Sequence, residues 1–292
     1  MRIPRLKVSL AAALAVTALT AAVAIAAPSG SSPIEKAATK SSTAASVKFD
    51  FVLSISGGGS SIPGGKISLG GTGAVDSKHK AADFKLDLTS IAPLLSGATN
   101  GTPVPKSIEA IVVGNAAYVN FPALATQLGA KGKSWVKFDS AKLPKSLTGG
   151  VNPKAAAGSL SPQQAVAALR SALSVHKVGS DKHGTHYHGS LDLSALVNLV
   201  PKAQQASVKA SLAKAGISKL PFDAWVGKQG FLSRFVVSLS VKATKGQPAV
   251  KIGFAINLHD YNHRVSISAP PASQTVDGSK LLSSLAGLAG GK

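Results

Sequence analysis

Three histidines, His183, His186 and His188, fall within six residues of one another. Imidazoles are the side chains best suited to proton transfer and metal ligation near neutral pH. On a strand His186 and His188 share one face, as a two-histidine metal pair would. The carboxylate at nearby sequence spacing is Asp181. The competing reading is a strand whose polar side faces water, and no metal is expected. Gly132-Lys133-Ser134 has the end of a phosphate loop, but the glycine needed five positions earlier is Gln127, and a strand rather than a helix follows. Gly57-Gly58-Gly59-Ser60-Ser61 lacks the strand–elbow–helix setting of a hydrolase nucleophile and reads as a hairpin loop. The chain has twelve acidic residues, of which Glu35 and Glu109 are the glutamates, and no two carboxylates are spaced for acid–base work. The expectation is a protein with no catalytic residue, no cofactor and no enzymatic activity.

The elements that carry these residues begin after a leader. Arg2, Arg5 and Lys7 precede an uncharged stretch from Val8 to Ala27, and Ala24-Ile25-Ala26 fits the small-x-small rule for cleavage. Residues 1–27 therefore read as a secretory signal peptide, with an uncleaved anchor as the alternative, since the apolar run approaches the ~20 residues that span a bilayer. No cysteine follows it, or occurs anywhere in the 292 residues, so lipid attachment through Cys, disulfides and thiolate metal sites are all excluded. Hydrophobic residues make up 45% and charged residues 15%, a globular composition. Net charge is +20; the leader accounts for three, leaving +17. Such a balance attracts polyanions. The chain is exported, its lysines are scattered, and it has no Arg-rich stripe or nucleic-acid module. Anionic membrane surfaces or cell-wall polymers are the expected partners, not nucleic acid; a lysine-covered soluble surface explains the same charge.

The exported part reads mostly as strands. Residues 33–45 suit an amphipathic helix. Val47, Phe49, Phe51, Leu53 and Ile55 then alternate with period 2, the mark of a half-buried strand. Ile67 and Leu69 open a second strand, and Phe84, Leu86 and Leu88 a third. Residues 108–121 read as a strand pair turning at Gly114-Asn115, and Trp135 to Phe138 as a short strand. A loop covers 140–160. Ser161-Pro162-Gln163-Gln164 starts a helix whose apolar face is Val166, Leu169, Leu173 and Val175. A strand with Tyr187, Leu191 and Leu193 follows, then helical spacing over 194–215 that Pro201 interrupts. Three strands finish: one with Phe231, Phe235, Val237, Leu239 and Val241 on a face, one with Val250, Ile252, Phe254, Ile256 and Leu258, and one with Val265 and Ile267. The Gly/Ala/Leu-rich residues 278–292 read as a frayed tail.

Strands joined by turns make an antiparallel sheet, here with one strongly apolar face. The fold class expected is α+β, with two or three modest helices over that face. A wide sheet so covered leaves either an apolar void of at least ~300 Å³ that takes a small ligand or an ordinary packed core. The residues expected to line a void, chosen from the alternation, are Phe51, Leu53, Leu86, Phe235, Val237, Phe254 and Ile256.

Three segments carry a family resemblance. Residues Ala117 to Leu124 with Gly132 to Asp139 are similar to a "Y-(V/L)-x-x-P-x-L … G-K-x-W-(V/I)-x-(V/L)-D" stretch. Ser161 to Leu169, Val178-Gly179, Gly184 to Tyr187 and Leu191-Asp192 resemble a helix–strand unit ending "G-x-x-T-x-Y-x-x-x-(V/L)-D". Leu220 to Leu232 resemble "(V/I)-P-(V/F)-(D/E)-x-W-(I/V)-D-x-x-G-(L/R)", with Gly227 where an Asp often stands. The pattern, over roughly 33–270, is that of the actinobacterial LppX/LprG-type lipoprotein-like family, which shares the fold of the LolA/LolB carriers. The resemblance implies a strongly curved antiparallel half-barrel with helices on its concave apolar face. It also implies binding of long acyl chains and their carriage through the cell envelope. The lipidated cysteine of that family is missing here. The expected domain is 28–277, holding an acylated lipid in the envelope, the periplasm or outside the cell. A non-transporting structural or sensory envelope protein with a filled core is the alternative.

Overall fold

A computed structural model describes residues 32–57, 65–92, 105–139, 172–192, 217, 219–241, 243 and 248–278, with isolated positions between 197 and 213. The expected leader, the helix expected from Ser161, most of the stretch 194–215 expected to be helical and the residues beyond Gly278 lie outside the described residues.

Helix α1 runs Pro33–Ser42. Ser32 caps it, its Oγ accepting the amide of Glu35 at 3.2 Å, Pro33 opens the first turn, and Glu35 and Lys40 sit at the ends their charges favour. Among the described residues twelve strands follow: β1 (Ser46–Gly57), β2 (Lys66–Asp76), β3 (Ala81–Asp87), β4 (Ser107–Val113), β5 (Ala116–Asn120), β6 (Trp135–Asp139), β7 (Ala172–Asp181), β8 (Gly184–Asp192), β9 (Lys219–Val226), β10 (Leu232–Val241), β11 (Val250–His259) and β12 (Thr275–Asp277). A short helix α2 (Pro122–Gln127) lies between β5 and β6. All strands join one large open, curved sheet in the order β12-β6-β5-β4-β3-β2-β1-β11-β10-β9-β8-β7. Every pair is antiparallel except β12 with β6. Among the described residues no helix is long and apolar enough to cross a membrane.

Glycines shape the middle of the sheet. On β2, Gly73 lies opposite Phe49 and Gly71 opposite Phe51. A Cβ on Gly73 would come within 2.6 Å of the Phe49 ring, and one on Gly71 within 2.7 Å of the Phe51 ring. The two rings therefore lie over bare backbone, and missing side chains of this kind are where sheets bend.

One core is described on the apolar side. Ile34, Ala37 and Ala38 of α1 pack with Val47, Phe49, Val75, Phe222, Leu232, Phe235, Val237, Ile256 and Leu258. Toward the other edge Tyr118 of β5, Trp135 of β6 and Ala125 of α2 are also buried.

Four expectations are corrected. Leu173 and Val175 belong to strand β7, not to a helix face. Residues 219–226, unassigned from sequence, are strand β9. Val265 and Ile267 form no strand: β11 is already flanked by β1 and β10, so a following strand finds no free neighbour. The chain instead runs to the far edge and adds β12 beside β6. Phe231 is not on the β10 face; a bulge between Leu232 and Arg234 shifts the register, and Phe231 stacks on Tyr261 with ring centroids 4.4 Å apart.

Candidate functional site

Directly opposed residues in a sheet point the same way, so register assigns the faces. Phe51 is opposite Ile256 and Leu53 opposite Phe254. Phe235 is opposite Ile256 and Val237 opposite Phe254. Leu86 and Phe51 both oppose Gly71. All seven residues chosen from the alternation thus share one face and form a contiguous patch over β3, β2, β1, β11 and β10. The Phe51 and Phe254 rings lie 6.4 Å apart.

The patch is not uniform. Phe235, Val237 and Ile256 are buried at 5%, 7% and 4% exposure, inside the core under α1. Phe51, Leu53, Leu86 and Phe254 are only half-buried. The change runs across the sheet as well as along it: buried Ile256 lies opposite half-buried Phe51, buried Val237 opposite half-buried Phe254, and Ile252 of β11 is buried beyond Phe254. Along β1, Val47 and Phe49 are buried, and Phe51, Leu53 and Ile55 are half-buried. Along β10, Leu232, Phe235 and Val237 are buried, and Leu239 and Val241 are half-buried. Leu69, Ile67 and Ile55 extend the half-buried area; the same alternation marks them.

The α1 end is sealed by specific bonds. Leu232 donates its amide to Ser41 Oγ at 2.9 Å. Lys40 Nζ donates to the Gln229 carbonyl and lies 4.5 Å over the Phe231 ring. Tyr261 donates its hydroxyl to the Leu232 carbonyl at 2.8 Å, and burial pushes its pKa up to about 12. Asn262 holds the Ala45 amide at 2.8 Å.

The histidines sit on the opposite, polar face. His186 Nε2 and His188 Nδ1 both reach Asp223 Oδ1, at 2.8 and 3.1 Å. Asp223 comes from β9, directly opposite His188. Sequence spacing pointed only to Asp181, which instead accepts the Trp225 indole N–H at 2.8 Å. His186 stacks flat on Trp225 with centroids 4.2 Å apart, and Arg234 lies 5.6 Å from that ring. The chemistry here is that of a hydrogen-bonded, partly solvated strand surface. Among the described residues no group of three or more His, Cys, Asp or Glu is arranged to hold a metal ion.

No protein-family model matches the chain. It is 29% identical over 188 residues to an uncharacterized 31.2 kDa protein in the rplA-rplJ intergenic region of Streptomyces griseus, a match covering 60% of this chain and 58% of the relative. The chain thus spans under two thirds of the curated relative it matches. Two solved structures overlap it shallowly. A DUF1329 family protein from Desulfovibrio piger gives a TM-score of 0.26 at 10% identity, covering 80% of this chain and 92% of the other. A bifunctional dehydratase-cyclase domain from ambruticin biosynthesis gives a TM-score of 0.15 at 14% identity, covering 77% and 78%. Superpositions this shallow carry no argument about fold or function.

Proposed function

We propose that this protein is an exported cell-envelope carrier that binds the acyl chain of a lipid or glycolipid along Phe51, Leu53, Leu86 and Phe254, and that it works by binding rather than by catalysis. The observation that carries this reading is the half-burial of four large apolar side chains in register with a packed core. Covering them with an acyl chain releases about 25 cal/mol for each Å² of apolar surface removed from water. Phe235, Val237 and Ile256 then act as the floor of the site and not as its lining. The leader-like residues 1–27 and the resemblance to the LppX/LprG-type family support the same reading.

Native mass spectrometry of the protein from its own host, followed by organic extraction, tests it. The expected result is one acylated species per chain. A clean apo mass with no uptake of added phospholipid or acylglycerol overturns the proposal, and leaves a structural or sensory protein with a filled core.

A further inference from the structure

Strand β11 ends at His259 in the middle of the sheet, and the next strand, β12, stands at the far edge beside β6. The segment between them is pinned at both ends. Asp260 and Asn262 take left-handed backbone, at φ 51° and 59°, which Asp and Asn tolerate better than most residues, and the chain turns there. Lys48 Nζ pairs with Asp260 Oδ2 at 3.0 Å, the Asn262 amide donates to the Ser46 carbonyl at 2.9 Å, and Ser46 Oγ donates to the His263 carbonyl. At the other end the Ser134 amide donates to the Gln274 carbonyl at 3.2 Å, Lys133 Nζ to the Thr275 carbonyl at 2.8 Å and the Gly278 amide to the Lys137 carbonyl at 2.8 Å. Between the pins, residues 264–270 make no hydrogen bond with another described residue. Val265 and Ile267 are half-buried there, and Arg264, Ser266 and Ser268 are exposed. That period of two marks an extended chain lying along a surface. Ser46 and Lys48 belong to the polar face, so the segment leaves on that side. Ala74, Ala81 and Tyr118, which register places on the same face, are buried.

The segment also has little slack. From β1 to β12 is six strand spacings, about 29 Å. Register sets Thr275 level with Asp50, four residues beyond Ser46. That offset adds about 13 Å along the strands and makes the straight span about 32 Å. Residues 262–275 reach at most about 45 Å, and the tight turn Ala272–Gln274 shortens that. Strand β2, with Gly71 and Gly73, lies within the span. We infer that residues 260–277 are a strap that ties β1 to the β6 edge across the polar face, and that its length limits how far β3–β6 swing from β1 about β2. Leu86 on β3 and Phe51 on β1 stand on either side of that bend, both opposite Gly71, so the strap governs the width of the apolar site. This consequence for the ligand rests on the acyl-binding reading; the tie itself does not.

Inserting three glycines between Ser268 and Ala269 tests this on the full chain, since it adds up to about 10 Å of reach. The chain has no cysteine, so spin labels can be placed at chosen exposed positions. Lys137→Cys with Ser240→Cys spans the bend, and His176→Cys with Ser240→Cys lies on one side of it. The expected result is a distance distribution that broadens by several ångströms for the first pair and is unchanged for the second. Lys133→Met, which keeps the length and removes one pin, should broaden the first pair to a smaller extent, and it decides the matter if the insertion does not fold. An unchanged first pair, or equal broadening of both pairs, overturns the inference. Acyl occupancy is read separately by mass spectrometry. Broadening with no lipid ever found in wild type refutes carriage alone; lipid found with an unchanged first pair refutes the strap alone.

Discussion

One apolar face runs across the sheet, yet its parts have different fates. Phe49, Phe222, Phe235 and Leu258 pack in one core with Ile34 and Ala38 of α1. Phe51, Leu53 and Phe254, of the same alternation and in register with that core, remain half-buried. The lesson is that alternation specifies which side of a strand is apolar, while what lies against that side decides whether it is core or surface. If the comparison is right, truncation should cost stability in one part and ligand in the other.

The largest effect is expected at Phe222, which is 1% exposed and packs its ring 5.7 Å from that of Phe235. Phe222→Ala should destabilise the fold by about 3–5 kcal/mol, from lost transfer energy plus a cavity. Denaturant unfolding measures it. A loss under about 1 kcal/mol would mean that the core with α1 is loosely filled and the contrast is false.

Next is Tyr261, which belongs to the seal. Burial raises its pKa from 10.0 to about 12. The folded value lies above the unfolded one, so its contribution is complete below pH 10 and disappears as pH rises toward 12. Wild type should therefore lose about 2 kcal/mol across that window that Tyr261→Phe does not lose. Parallel pH profiles for the two proteins would show that the hydroxyl is solvated and the seal is open.

Those two positions also show what the sequence could reveal. The strands with unbroken alternation, β1, β10 and β11, were legible, as was the turn at Gly114-Asn115. Strand β7 was not: its register shifts after Leu173 and again after Lys177, and the bulges break period 2, so Leu173 and Val175 were read with the helical spacing that precedes them. Strand β9 hid behind Pro221, a residue that argues against a central strand; β10 pairs only from Phe222 onward, so the proline sits beyond its reach. The seven candidate lining residues were found together because register preserves alternation. Their division into buried and half-buried was not legible, since it depends on α1 and the turns meeting strands far away in sequence. Asp223 was missed beside the histidines for the same reason: it lies 35 residues from His188 in the chain.

A smaller effect on stability is expected at Leu53. Leu53→Ala removes a half-buried side chain and should cost about 1 kcal/mol, well below Phe222→Ala, while lowering acyl occupancy in native mass spectra by more than half. The pair sharpens the comparison: a cost of 3 kcal/mol or more in lipid-free protein would make Leu53 core, and unchanged occupancy would remove it from the site.

The smallest effect concerns the polar back of the sheet. Near the α1 end Asp181 accepts the backbone amide of His183 at 2.7 Å and the Trp225 indole at 2.8 Å. These bonds, the His183 amide first, hold its carboxyl below the ordinary 3.8. A depressed carboxylate contributes stability above its unfolded value and loses it as pH falls through the folded one. Asp181 is exposed, so the contribution is slight. Trp225 reports it more sharply than unfolding does: its fluorescence should shift as pH drops below about 4, and Asp181→Asn should flatten that shift. An unchanged titration in the variant would mean that the indole is not held by this carboxylate.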